Sequence, residues 1–412
     1  MSDIQSRQLV CGTPLLVEKM SGVNSAAICW MLPAGTAHDQ ILGESPMWSE
    51  LILRGGGTLN SRAQADAFDK MGVSRSTDLG TFTLRIAATL LGSNVLASLP
   101  LLADMVLRPR MDEDAIEPCR DLCLQAIASL KDDPQERAAY LARERHLPPP
   151  LNRTDMGTED GLRALSRDRL ISAYHERVRP VGSLITVAGA VEADPIEELL
   201  NRLLEGWNGS THEPRPTSEA PRGYYHEQEE TNQVQIILMH DAPAEPHQDS
   251  ILEMVVLNVL SGGMAGRLFS EVREKRGLCY SVNAGYRGDR DYGYVSAYVG
   301  TTPDKAQDAV TVLLGELRRI NTPEGRVTPE EFHRALVGMK SGVVFSGESS
   351  GARAVSLASD QRKLGRPRTL EEITQKLEGV TLDQVNSYLA TRRLGKMTVQ
   401  TLGPRSLKVE GV

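Results

Sequence analysis

The sequence has no uninterrupted apolar stretch of about eighteen residues, the length a helix needs to cross a bilayer, so no membrane span is expected. It also has no basic surplus: 46 Lys and Arg stand against 54 Asp and Glu, for a formal net charge of -8. Gripping a phosphate backbone requires clustered cations, and short basic runs such as 273–276 contain an acid as well. Nucleic acid is therefore not an expected partner. Cysteine is scarce and odd in number, at Cys11, Cys29, Cys119, Cys123 and Cys279. That irregular set argues against a disulfide scaffold and fits a reducing cytoplasm. Residues 1–10 are polar, with no apolar segment behind a basic one, so no secretory signal is expected there. No two of the eight His lie three to five residues apart on a helical pattern, which removes the usual paired-His metal arrangement.

The rest is ordinary for a globular chain, with 40% hydrophobic and 24% charged residues over 412 positions. That length fits two domains or one large one. Residues 206–222, "GWNGSTHEPRPTSEAPR", are rich in Gly, Pro, Ser and Thr without apolar periodicity and read as a linker. They divide the chain into an expected first domain, 1–209, and a second, 223–412. In the first, strand patterns cover 8–18, 26–32, 73–77, 81–89 and 183–189. Helical patterns cover 45–54, 62–71, 93–107, 112–130, 134–146, 167–177 and 195–207. The second repeats this order loosely, with strands at 233–239, 279–286, 293–299 and 396–402 and helices at 248–260, 267–274, 303–320, 329–346 and 382–391. The expected class is α+β: two similar domains, each a mostly antiparallel sheet with helices packed on one face.

Isolated features admit bland readings. Cys119 and Cys123 lie one turn apart on the 112–130 helix, but structural zinc wants four ligands and no second pair is present. Two small residues on a packed helix face account for them. Gly262-Gly263 precedes a helix start without the Gly, Lys and Ser/Thr pattern of a phosphate loop, and reads as a turn.

Three stretches together carry a resemblance. Residues 261–286, "SGGMAGRLFSEVREKRGLCYSVNAGY", resemble the signature of insulinase-family C-terminal domains. Residues 179–191, "RPVGSLITVAGAV", resemble the strand ending that family's first domain, and "LVCGTPLLVEKMSGVNSAAICWMLPAGTAHD" resembles its opening hairpin. Over about 8–403 the chain resembles the insulinase/pitrilysin/mitochondrial-processing-peptidase family of zinc metallopeptidases. The resemblance implies an inverted H-x-x-E-H motif on a helix, in which two His bind zinc, the Glu between them polarises its water, and a later Glu completes the site.

The five motif positions here are Pro46, Met47, Trp48, Ser49 and Glu50. Pro46 and Glu50 stand in for the His ligands, Ser49 for the catalytic Glu, and Ala126, reached without a gap, for the distal Glu. One carboxylate cannot hold zinc usefully, since catalytic sites use three protein ligands. No metal or other cofactor is expected in this chain, and the zinc is expected in a homologous partner. The resemblance also implies an Arg and a Tyr seven residues apart that reach across to substrate, matched by Arg273 and Tyr280. Taken singly they read as a solvated charge and a strand-packing aromatic. A further implied site is the edge strand Ser74, Arg75, Ser76, Thr77, on which an extended peptide would lie through backbone hydrogen bonds. Two functions follow as expectations. One is a non-catalytic subunit of a heterodimeric peptidase that lends Arg273 and Tyr280 to a zinc-bearing partner. The other is a structural or peptide-binding scaffold, paired with itself and without proteolysis.

Overall fold

The computed structural model describes residues 3–411. In chain order the strands are β1 (Asp3–Gln8), β2 (Pro14–Lys19), β3 (Ser25–Leu32), β4 (Gly55–Gly56), β5 (Leu59–Asn60), β6 (Ser74–Leu79), β7 (Leu84–Leu91), β8 (Leu184–Gly189), β9 (Tyr224–Gln228), β10 (Val234–Ala242), β11 (Ser281–Gly288), β12 (Gly293–Thr301) and β13 (Thr398–Gly403). The expected strand at 8–18 is instead a hairpin, because Gly12 turns the chain at φ +93° and β2 folds back antiparallel on β1.

The chain forms two units. The first is built on a six-stranded sheet ordered β1-β2-β8-β3-β7-β6, all antiparallel except the β2/β8 pair. The second is built on a five-stranded sheet ordered β11-β12-β10-β13-β9, all antiparallel except the β13/β9 pair. Read from the other end, the first is β6-β7-β3-β8-β2, with β1 added. Strand for strand the two sheets match in chain order, in neighbours and in direction. This is an internal duplication.

Each sheet carries several helices on one face. In the first unit Met47, Trp48, Leu51, Leu99, Leu102, Val106 and Leu170 bury against Ile28, Trp30, Ile86 and Val187. In the second, Val255, Val256, Val259, Leu313 and Leu317 bury against Ile236, Leu238, Val295 and Val399. Strands β3 ("SAAICWML") and β8 ("LITVAG") are apolar without alternation, as expected of strands covered on both faces.

What covers the second face departs from the division into 1–209 and 223–412. The units are not contiguous: Leu130–Pro148 joins the second, and Ser346–Thr369 joins the first. Helix Pro134–His146 therefore packs on β10 and β13, and helix Ser350–Leu364 packs on β3 and β8. The physical reason is that each duplicated sheet buries its second apolar face under one helix, and each half supplies that helix to the other. Between Thr217 and Ser218 the chain passes to the second unit, inside the 206–222 stretch. Up to Thr217 that stretch is tied to the first unit, by Thr211 N–H to the Val181 carbonyl at 2.8 Å and by Arg362 to Glu213 at 3.0 Å, while Arg222 at its end bonds within the second unit, to Asp241 at 2.6 Å.

Candidate functional site

The first candidate position lies on helix Glu44–Leu51. Its start is held by the Asp39 carboxylate, which accepts from the backbone N–H groups of Gly43 and Ser45. Pro46 sits in the first turn, where no N–H partner is needed, so its ring costs the helix nothing. Met47 and Trp48 point into the core, and the Trp48 indole donates to the Leu170 carbonyl at 3.1 Å. Ser49 and Glu50 are half-buried on the other side. The Ser49 hydroxyl donates to Thr77 Oγ1 at 3.0 Å, and Thr77 Oγ1 donates to the Ser49 carbonyl at 3.2 Å. The residue in the catalytic Glu position is thus stitched to β6. Ala126 is exposed on helix Glu113–Ser129.

These residues do not fit zinc. Proline and alanine side chains have no donor, the Ser49 hydroxyl is engaged, and Glu50 alone offers a charged oxygen. Among the described residues no group of three or more His, Cys, Asp or Glu is placed to hold a metal ion. Cys119 and Cys123 are buried in the first core. The Cys123 thiol is pushed up to about 12, by burial first and by the Glu50 charge second. Cys119 shifts the same way, again chiefly by burial. Both are neutral thiols packed on a helix face, not thiolate ligands.

Strand β6 closes one end of its sheet and, among the described residues, pairs as a strand with β7 alone, so one side of its backbone faces away from the sheet. Its residues alternate between exposed and half-buried from Ser74 to Leu79. Arg75 folds back over the Phe68 ring at 4.3 Å, Thr77 reaches Ser49, and Asp78 pairs with Arg85 at 3.1 Å. The edge is guarded by charge, and a partner strand would find it in register with β7.

The second candidate position is the turn before β11. The expected helix at 267–274 is a π-helix over Phe269–Glu274, wound one residue wider than α, as shown by the Lys275 N–H to Ser270 carbonyl bond at 3.0 Å. It is followed by Gly277 at φ +57°, a conformation that favours glycine, and by a Leu278 N–H to Val272 carbonyl bond at 3.0 Å. These bonds fix the turn that delivers Tyr280, whose ring is 82% exposed. Arg273 lies between two rings, with its guanidinium carbon 4.8 Å from the Phe269 centroid and 4.9 Å from that of Tyr280. Its ionic neighbours Glu271, Lys275 and Arg276 bond to one another instead. Arg273 and Tyr280 are thus brought together, and the core does not absorb Tyr280. Phe269, absent from the sequence-derived site residues, completes the stack; its position four residues before Arg273 on a helical turn is the signal that would have found it.

Comparison with known proteins bears on the fold and on the family resemblance. The peptidase M16 inactive domain matches residues 164–338. The chain is 26% identical over 387 residues to the uncharacterized zinc protease YmxG of Bacillus subtilis (strain 168), covering 91% of this chain and 92% of that protein. It is 27% identical over 427 residues to an uncharacterized zinc protease of Mycobacterium tuberculosis (strain ATCC 25618 / H37Rv), covering 96% and 92%. In fold it resembles the peptidase M16 inactive domain from Pseudomonas fluorescens, with a TM-score of 0.87 at 18% identity over 99% of both chains. It also resembles a protease from Helicobacter pylori, with a TM-score of 0.86 at 16% identity over 98% of this chain and 100% of that one. The insulinase-type resemblance in the sequence, the duplicated sheets and these matches converge: the chain has the fold of M16 peptidases, is similar to M16-type zinc proteases over nearly its whole length, and matches the peptidase M16 inactive domain over residues 164–338.

Proposed function

We propose that this chain is the non-catalytic subunit of a two-subunit M16 peptidase. It pairs with a zinc-bearing homologue in the cytoplasm and contributes Arg273 and Tyr280 to the peptide bound there. The observation that carries the reading is the Arg273 stack: a guanidinium set between Phe269 and Tyr280, with no ion pair of its own among the described residues. Arginine presents a planar fork of donors that suits a carbonyl or carboxylate oxygen, and an exposed Tyr hydroxyl adds one more. On the other unit, the unpaired side of β6 offers Ser74, Arg75, Ser76 and Thr77 to an extended peptide. Strand addition uses backbone groups and does not need the lost metal.

The test is steady-state peptide hydrolysis by the zinc-bearing homologue reconstituted with wild-type chain, Arg273→Ala or Tyr280→Phe. Neither change opens a core cavity, so folding and pairing should be retained. Loss of a transition-state donor is expected to lower kcat by about a hundred- to a thousand-fold, whereas loss of a ground-state contact raises KM. Unchanged kinetics for both variants would leave the scaffold reading in its place.

A further inference from the structure

The two exchanged helices carry the same words. Helix Pro134–His146 contains Arg137-Ala138-x-x-Leu141-Ala142, and helix Ser350–Leu364 contains Arg353-Ala354-x-x-Leu357-Ala358. In both, the alanine pair one turn apart is fully buried against the receiving sheet. A methyl is the only side chain short enough to let the helix settle closely on a pleated surface. Beneath Ala354 and Ala358 lie Cys29, Met31 and Ala188; beneath Ala138 and Ala142 lie Ile237, Met239 and Leu402. Those residues occupy equivalent places in the register. Cys29 pairs with Thr186 and Ile237 with Gln400, while Ala188 and Leu402 each stand one residue before the strand-ending glycine, Gly189 or Gly403.

The arginines correspond too. Arg353 Nη2 lies 2.7 Å from the Glu18 carboxylate on β2, and Arg137 Nη2 donates to the Glu227 carboxylate on β9 at 3.0 Å. Glu18 faces Ala188 across the parallel pair, and Glu227 faces Leu402. The acid is therefore at the same register position in both sheets. Each sheet is a receptor for one helix with one motif, and in each case the motif comes from the other half of the chain.

We propose that this reciprocal exchange is a lock that holds the two halves together, so that the peptide link between them is dispensable once the chain has folded. Cutting at 215–219 would leave one piece with helix Pro134–His146 seated on the other's β10 and β13. The second piece would keep helix Ser350–Leu364 seated on the first piece's β3 and β8. Separation requires both helices to leave their sheets and expose the apolar second faces.

The experiment is to place a site-specific protease sequence in the exposed stretch 215–219 of the full chain and cut the folded protein. The cut protein is expected to elute at the size of the uncut chain in native buffer and to separate only in denaturant. Two native-like pieces eluting apart would overturn the proposal. Ala142→Phe with Ala358→Phe should make the cut protein fall apart. Hydrogen exchange on the uncut wild-type chain supplies a second readout that does not depend on that variant's folding. Amides of Ser350–Leu364 should open together with β3 and β8, and those of Pro134–His146 with β10 and β13. Exchange of either helix at least tenfold faster than its receiving strands would show that it is not locked.

Discussion

Arg353→Met removes a cation from one of the driest places in the molecule. Arg353 and Glu18 are each 1% exposed, and Nε and Nη2 of the arginine both reach the same carboxylate oxygen, at 2.8 and 2.7 Å. Methionine keeps much of the volume but leaves Glu18 as a buried charge without its partner. Breaking a buried pair in this way costs about 3–5 kcal/mol, most of it the stranded charge rather than the lost attraction. For a folded unit of roughly this size a loss of that order lowers Tm by about 6–20 °C. Replacing both members, with Arg353→Met and Glu18→Leu, removes the stranded charge and should recover most of the loss.

The duplication supplies an internal control. Arg137 occupies the equivalent helix position, but its side chain is 31% exposed, and its partners Glu227 and Glu229 are 44% and 29% exposed. Water screens that cluster, and exposed pairs are worth about 0.2–1 kcal/mol. Arg137→Met should therefore cost less than about 1 kcal/mol. Urea unfolding followed by circular dichroism measures the wild type, Arg137→Met, and the Arg353→Met, Glu18→Leu and double variants, with the coupling taken from the double-mutant cycle on Arg353 and Glu18. Equal losses for Arg137→Met and Arg353→Met, or a double variant as unstable as Arg353→Met alone, would refute the reasoning that burial decides the cost.

Acidification should destabilise the fold between pH 6.5 and about 4. His240 and His38 are held down at about 4 and His146 at about 3, each chiefly by burial, so the unfolded chain takes up these protons first and stability falls with pH. At pH 5 each contributes a loss of about 2 kcal/mol, partly offset by Asp39, which burial raises to about 6 and which acts in the opposite sense; a Tm that stays level from pH 7 to 5 would contradict this. Thiol titration of the native protein should find Cys11 and Cys279 reactive and Cys29, Cys119 and Cys123 silent until denaturant is added, because the latter three are buried. Elemental analysis of chain purified with zinc in the medium should find no stoichiometric metal, and one tightly held zinc per chain would mean that a ligand set other than Pro46, Glu50 and Ala126 exists.

The sequence makes the missing metal site legible because that reading is a matter of residue identity: at the three ligand positions Pro46 and Ala126 carry no donor atom, and Glu50 alone is one ligand where a catalytic site needs three. Strand positions are legible for a similar reason, since apolar runs such as 183–189 and 233–239 mark them. The exchange is not read from the same features. The amphipathic pattern of 134–146 says that one face is buried, but nothing local to that segment says in which half. Two nonlocal signals point the way. Strands that are apolar on both faces need a second cover, and one helix per sheet is the smallest that suffices. The six-residue pattern of 137–142 returns at 353–358 when little else repeats. Each is too short to identify a partner alone; it is the structure that sets Arg353 beside Glu18 and Arg137 beside Glu227 and so gives helix, sheet face and register. The same distinction separates Arg273 from its surroundings. Its charge and spacing are written in the sequence, but the turn that sets it between Phe269 and Tyr280 rests on backbone bonds, Lys275 to Ser270 and Leu278 to Val272, that depart from the α-helical pattern the sequence suggests.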